Sequence, residues 1–280
     1  MRTITSTRAI QLWRDAEAGS VGFVPTMGYL HQGHLTLVRK AAAENDAVVV
    51  SIFVNPLQFG PSEDFGRYPR DLESDQALLA GEHAHVVVFN PTPEEMYPSG
   101  FSTAVEVEGS ITQILEGAKR PGHFRGVTTV VNKLFNLVRP TRAYFGEKDA
   151  QQLAVIRKMV SDLAMNLTIV GVPTVREPDG LAMSSRNVYL SPTERQAALV
   201  LSRALAHARS LWQDGERSAP RLGSAMLDLI AREPLAKVDY VSVADPTTLQ
   251  EIEGTAESAL VSMAVFIGRT RLIDNTTLRS

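Results

Sequence analysis

His31 and His34, three residues apart in PTMGYLHQGHLTL (25–37), are the first residues whose type and spacing suit chemistry. They stand where a strand-like run, VGFVPT (21–26), gives way to a helical pattern. At such a junction the backbone N–H groups and the helix dipole favour a phosphate. Two imidazoles on one face add donors for charge building on an α-phosphate and its leaving pyrophosphate. Gly28 and Gly33 carry no Cβ, so a nucleotide can approach the backbone closely. The plainer alternative is two surface histidines around a turn glycine. Zinc needs three or four ligands, and the remaining histidines are isolated or in an unrelated loop. The placement of HxGH directly after a first strand favours the nucleotide.

Three other segments offer polar groups. In GEKD (146–149), Lys148 is a mobile point charge suited to phosphate. A lysine in the first turn of a helix opposes the dipole, which favours a functional reason for it. Asp149 suits an N-cap, with Gln152 folded back onto it as in a capping box; local pattern leaves Gln152 open between that role and substrate binding. MSSRN (183–187) supplies Ser184 and Ser185 hydroxyls and the Arg186 guanidinium, a set that suits a triphosphate. Alone it reads better as a polar interdomain linker; its coexistence with HxGH favours function. In NPLQFG (55–60) Asn55 reads as a turn former, and Gln58 as a neutral ligand for a hydroxyl or carboxylate. Pro25 and Met27 form either an apolar wall or ordinary core. Tyr68, Arg70 and Asp71 read as a surface loop and helix start, with a lid as the sharper alternative.

The elements that must position these groups alternate. AVVVSIFV (47–54), HVVVF (85–89), RAYFG (142–146) and LTIVGVPT (167–174) read as strands, with helical patterns at 70–82, 127–138 and 150–163 between them. Such alternation predicts an α/β fold, a doubly wound parallel-sheet nucleotide-binding domain over 1–175. The unusual polar residues fall at strand carboxyl ends, where open α/β sheets bind ligands. After about Arg176 the pattern changes. Ser191, Pro192 and Glu194 spell a helix start, a long helical segment follows, and VDYVSVADP and ALVSMAVFIGRTRLID alternate like antiparallel strands. A smaller α+β C-terminal domain over 176–280 is expected.

The 280 residues are 44% hydrophobic and 21% charged, with a net charge of -3. No basic stripe marks a nucleic-acid surface. Cysteine is absent, which excludes thiol catalysis and Cys-ligated zinc and suits a reducing compartment. Neither an apolar leader core nor a run long enough to span a bilayer is visible. A cytoplasmic protein that binds neither nucleic acid nor membrane is expected.

TMGYLHQGHLTL, SIFVNPLQFGPSEDFGRYPRDLESD, PGHFRGVTTVVNKLFNLVRP, AYFGEKDAQQLAVIRKMVSDL, MSSRNVYLS and RLIDN together closely resemble the pantoate–β-alanine ligase family, within the HxGH nucleotidyltransferases. The resemblance covers nearly the whole chain in the expected order. It implies condensation of (R)-pantoate with β-alanine through an acyl adenylate, using ATP and Mg²⁺, in a cytoplasmic homodimer. It implies that Met27, Gly28, Tyr29, Leu30, His31, Gln32, Gly33 and His34 hold ATP, with His34 as proton donor and His31 and Lys148 in support. Gln58 would bind both pantoate and β-alanine, and Gln152 pantoate, beside Pro25 and Met27. Gly146, Glu147, Lys148, Asp149, Val175, Met183, Ser184, Ser185 and Arg186 would complete the ATP site. Tyr29 and Gln32 stand at variable positions. MSSR lacks the lysines of the wider superfamily's KMSKS loop, so Arg186 and Lys148 must share the phosphate charge. The rivals are an HxGH enzyme that leaves the nucleotide on its product, a class I aminoacyl-tRNA synthetase, and a non-enzymatic nucleotide or metal sensor.

Overall fold

Strands apolar on both sides of the pleat must be covered on both faces, and this requirement organises the first part of the chain. The computed structural model describes residues 1–61, 63–82 and 85–279. In order come β1 (Arg2–Ile4), α1 (Thr7–Ala16), β2 (Val21–Thr26), α2 (Gln32–Glu44), β3 (Ala47–Ile52), α3 (Leu72–Ala80) and β4 (Val86–Phe89). They are followed by α4 (Pro93–Met96), α5 (Leu115–Lys119), α6 (His123–Val138), β5 (Arg142–Gly146), α7 (Ala150–Asp162) and β6 (Thr168–Val172).

The six strands form one parallel sheet in the order β1-β4-β3-β2-β5-β6. Side chains sort by the two-residue period of a strand. Phe23, Val49, Val87, Phe89 and Phe145 join α1, α6 and α7 in one apolar cluster. Val24, Val48, Val50, Val88 and Tyr144 join α2 and α3 in another. The α/β doubly wound fold is therefore as expected. The neighbours β2 and β5 mark the switch point: β3 lies on the far side of β2, and β6 on the far side of β5.

The chain divides into two compact units, Met1–Glu147 with Gln152–Pro173, and Lys148–Gln151 with Thr174 onward. The second unit contains α8 (Pro192–Ala197), α9 (Leu199–Gln213), α10 (Ala219–Ile230), β7 (Ala236–Ala244), β8 (Ser258–Ile267) and β9 (Thr270–Arg279). Its strands form an antiparallel sheet in the order β7-β8-β9. Leu201, Leu205 and Trp212 of α9 and Leu222 and Met226 of α10 pack on Val261, Met263 and Val265 of β8. The Ser191 hydroxyl accepts from the Glu194 N–H while the Glu194 carboxylate takes the Ser191 N–H, a capping box at the anticipated position. The single long helical segment expected beyond it is three helices. Ala198 separates α8 from α9, and Gly215, at φ +97°, frees the chain to turn after α9. Among the described residues no helix is long and apolar enough to cross a membrane.

Gly126 is among the glycines fixed by close approach. A Cβ on Gly126 of α6 would lie 2.1 Å from the Leu57 carbonyl oxygen, in the 3-10 turn Pro56–Gln58. That atom is backbone and cannot swing aside. Gly126→Ala should destabilise the protein by about 1–3 kcal/mol, read from urea unfolding, and a change below about 0.5 kcal/mol, the range of an ordinary surface substitution, would contradict the packing described.

Candidate active site

The turn leaving β2 is built on one buried carboxylate. Gly28 has φ +79° and Tyr29 +51°, so two successive residues occupy the left-handed region. For tyrosine this conformation carries strain and needs external support. Asp75 of α3 supplies it, accepting the Tyr29 N–H at 2.9 Å and the Leu30 N–H at 2.6 Å. Asp75 is 2% exposed. Burial pushes its pKa up, against the pull of the two backbone N–H groups, and the Asp71 charge adds to the rise. A Cβ on Gly28 would come within 2.9 Å of both Asp75 Oδ2 and Ile52 Cγ2. Glycine is required here by the protein itself. Thr26 closes the turn from behind, its hydroxyl accepting the Gly28 N–H and donating to the Ser51 carbonyl.

The two histidines start α2 as a reciprocal cap. His31 is the N-cap, and its Nδ1 accepts the Gly33 N–H at 3.1 Å. His34 Nδ1 reaches back to the His31 N–H at 3.3 Å. The rings lie 4.1 Å apart between centroids. An imidazole nitrogen that accepts a backbone proton carries none itself, so each neutral ring holds its proton on Nε2. The cap thus sets which nitrogen can donate. Gln32 is exposed, and its amide oxygen accepts from Arg39.

Met27 and Gln58 meet. The Gln58 amide Nε2 lies 3.2 Å from Met27 Sδ, and its Oε1 accepts from Asn55. Asn55 is 1% exposed and uses both ends of its amide, donating to the Gly126 carbonyl and accepting from Leu57 N–H and the Tyr97 hydroxyl. Beneath lies a charged network. Arg120 grips Glu63 with two bonds of 2.7 Å, donates to His123 Nε2 at 3.0 Å and reaches the Gln58 carbonyl. His123 Nδ1 then donates to that same carbonyl at 2.8 Å. Burial pushes Glu63 up, yet the Arg120 guanidinium outweighs this and holds it below the usual carboxylate value. Burial, with the Arg120 charge, drives His123 down to about 4.

The second unit carries the other cations. Lys148 is mostly covered, with its ammonium 3.6 Å from Asp149. Met183 N–H bonds the Val175 carbonyl, pairing the two ends of a short hairpin. The Ser184 oxygen accepts the Arg186 N–H and so starts the 3-10 turn Ser185–Tyr189, in which Ser185 is buried. In the first unit, Gly146 ends β5 opposite Val172, Glu147 is exposed, and Gln152 is half-buried in the first turn of α7. Pro25 sits half-buried in β2 opposite Ser51.

The family described as pantoate-beta-alanine ligase matches residues 1–277. The chain belongs to the pantoate–β-alanine ligase family. As a member it is an amide-forming ligase that joins pantoate to β-alanine. The pantothenate synthetase of Heliobacterium modesticaldum is 60% identical over 279 residues, 98% of each chain. That of Roseiflexus castenholzii is 59% identical over the whole of both. The crystal structure of pantothenate synthetase from Thermus thermophilus superposes over both full chains with a TM-score of 0.96 at 51% identity. A pantoate–β-alanine ligase from Francisella tularensis, solved complexed with beta-gamma ATP and β-alanine, matches at 37% identity and a TM-score of 0.81, over 99% of this chain and 97% of its own.

In this ligase the sequence marks His31, His34, Met27 and Gln58 as candidates; the reciprocal cap of the two histidines and the groups that hold all four come from the structure. Asp75, Arg120, Glu63 and His123 act through partners remote in sequence, and only the acid–base content of their segments hinted at them. Tyr68 needs correction: it is 6% exposed, packed edge-on against Phe59, and so lies under the surface and not on it. Arg70 is exposed, and Asp71 caps α3 by accepting the Ser74 N–H. His83 lies outside the described residues.

Two outcomes follow. Asp75→Asn replaces an acceptor of two backbone protons with a group that can accept at only one atom. Amide exchange at Tyr29 and Leu30 should quicken roughly ten- to a hundredfold, measured by hydrogen–deuterium exchange; unchanged protection would refute the support assigned to Asp75. His123 stays neutral in the fold while its unfolded counterpart takes up a proton near 6.5, so the unfolded chain binds more protons between about 6.5 and 4. Stability should fall as pH drops through that window. From about pH 6.5 to 4.5 His123→Gln should flatten the slope by about one proton, read from denaturant midpoints; an unaltered slope would show that His123 does not titrate this way.

Proposed function

We propose that the chain condenses pantoate with β-alanine through pantoyl adenylate, with ATP as the activating substrate, AMP and pyrophosphate as by-products and the β2–α2 turn as the nucleotide cradle. The observation that carries this reading is the reciprocal histidine cap at the switch-point strand of a chain matched from end to end by the ligase family. A carboxylate is a poor acyl electrophile because it is anionic and resonance-stabilised. Attack of a pantoate carboxylate oxygen on the α-phosphorus forms the acyl–phosphate bond and breaks the bond to pyrophosphate. The β-alanine amine then attacks the acyl carbon, AMP departs with the bonding pair, and the ammonium proton is lost to leave the amide. No protein nucleophile is needed; the work is positioning and charge stabilisation.

Within this reading His34 and His31 donate from Nε2 to the charge growing on the phosphates, the nitrogen their capping bonds leave protonated. The residues of 27–34 line the nucleotide, together with Gly146, Glu147, Asp149, Val175 and Met183 to Ser185. Lys148 and Arg186 share the triphosphate charge. Gln58 takes pantoate and β-alanine, Gln152 takes pantoate, and Pro25 and Met27 provide apolar contact. Magnesium enters as the Mg–ATP complex, since this ion is commonly held through substrate phosphates and few protein carboxylates. Among the described residues no group of three or more His, Cys, Asp or Glu offers a protein cage. A cytoplasmic homodimer belongs to the same reading, supported by the family resemblance and, for the compartment, by the lack of cysteine.

Purified protein given ATP, magnesium, pantoate and β-alanine should yield pantothenate and free AMP in equal amounts by mass spectrometry. A nucleotide retained on the product would point to the other HxGH chemistry. His34→Ala should lower turnover by about 10²–10³, the usual effect of deleting one transition-state donor; near-normal turnover would remove its assigned role.

A further inference from the structure

Asp274 and Asn275, adjacent on β9 in the terminal RLIDN, tie together the two cationic segments of the second unit. The Asp274 side chain is 1% exposed, so its charge demands partners. It accepts two bonds from Arg176, at 2.7 and 2.9 Å, and one from the Asn275 N–H at 2.8 Å. Arg176 is the base of the Val175–Met183 hairpin: it bridges Ala182 across the pair and donates to the Gly180 carbonyl at the turn. Glu177 N–H to Leu181 and Gly180 N–H to Glu177 close that turn, where Gly180 has φ +95°. Ser184, Ser185 and Arg186 leave the hairpin at once. Asp274 therefore sets where they begin.

The next residue holds the other cation. Asn275 Nδ2 donates to the Lys148 carbonyl at 2.7 Å, a side-chain bond spanning 127 positions. We infer that Asn275 is a positioning residue for Lys148, and that its adjacency to Asp274 keeps the lysine in register with the hairpin that leads to Arg186. Its bond is to backbone, so it fixes where the lysine side chain starts and leaves the ammonium able to follow a phosphate. A triphosphate whose charge is shared between a lysine and an arginine needs the two set at a constant separation. This inference rests on the proposed role of Lys148 in forming the adenylate.

The test separates the half-reactions in the full-length enzyme. Pantoate-dependent exchange of pyrophosphate into ATP reports adenylation; release of pantothenate from synthetic pantoyl adenylate and β-alanine reports aminolysis. Asn275→Ala should slow exchange about tenfold, the loss of one partly buried hydrogen bond, and leave aminolysis within about twofold. Asn275→Asp, equal in size but without a donor, should slow exchange at least as much, and it carries the test if the alanine variant fails to fold. In a Lys148→Ala background either change should add less than about twofold. Wild-type exchange in Asn275→Asp, an equal fall in both half-reactions, or full additivity with Lys148→Ala would each overturn the inference. Normal exchange in Lys148→Ala alone would instead sink the role of the lysine, and the inference with it.

Discussion

A carboxylate taken out of water must find protons, and Asp75 finds them in the backbone of a turn that would otherwise be strained. The rest of the first unit's candidate site hangs from this exchange. The turn obliges glycine at 28, because Asp75 and Ile52 occupy the space a side chain would need. It delivers Leu30 to the buried side and His31 to the cap position of α2. Since Asp75 sits on α3 and the turn leaves β2, the bond also couples the outer helix layer to the strand at the switch point.

The three histidines of this unit's site illustrate how a neighbour chooses a tautomer. His31 and His34 receive backbone protons at Nδ1, so Nε2 is the donor. His123 receives the Arg120 proton at Nε2, so Nδ1 donates to the Gln58 carbonyl. The same side chain thus serves as a proton-bearing tip in one place and as a neutral strut in the other. The strut supports the backbone of Gln58, whose amide touches Met27.

Much of this was legible in the sequence where periodicity and local chemistry speak. The β-branched runs announced a sheet covered on both faces, and the period-2 sorting of Val48, Val49 and Val50 shows why. Ser191, Pro192 and Glu194 marked a helix start because a capping box is a contact within four residues. β1 went unread because three residues show no period, and α1 because Ile10 alone in it is buried. The break between α9 and α10 hid because apolar spacing resumes on both sides of Gly215. In the site, HxGH was visible as a motif; its supports were not. Asp75 finds its partners about 45 positions away, and those partners are N–H groups of a kind nearly every residue possesses. Gln152 could not be settled from its neighbours, and the family resemblance alone moved it toward pantoate.

The tetrapeptide Lys148–Gln151 belongs to the second unit although the chain on both sides of it belongs to the first. The polypeptide therefore passes between the units three times, and no single scission separates one unit from the other. A fragment ending at Pro173 would keep the lysine yet part it from its amide tether on the last strand. Domain shuffling within this architecture must move that loop and the C-terminal strand as one inheritance.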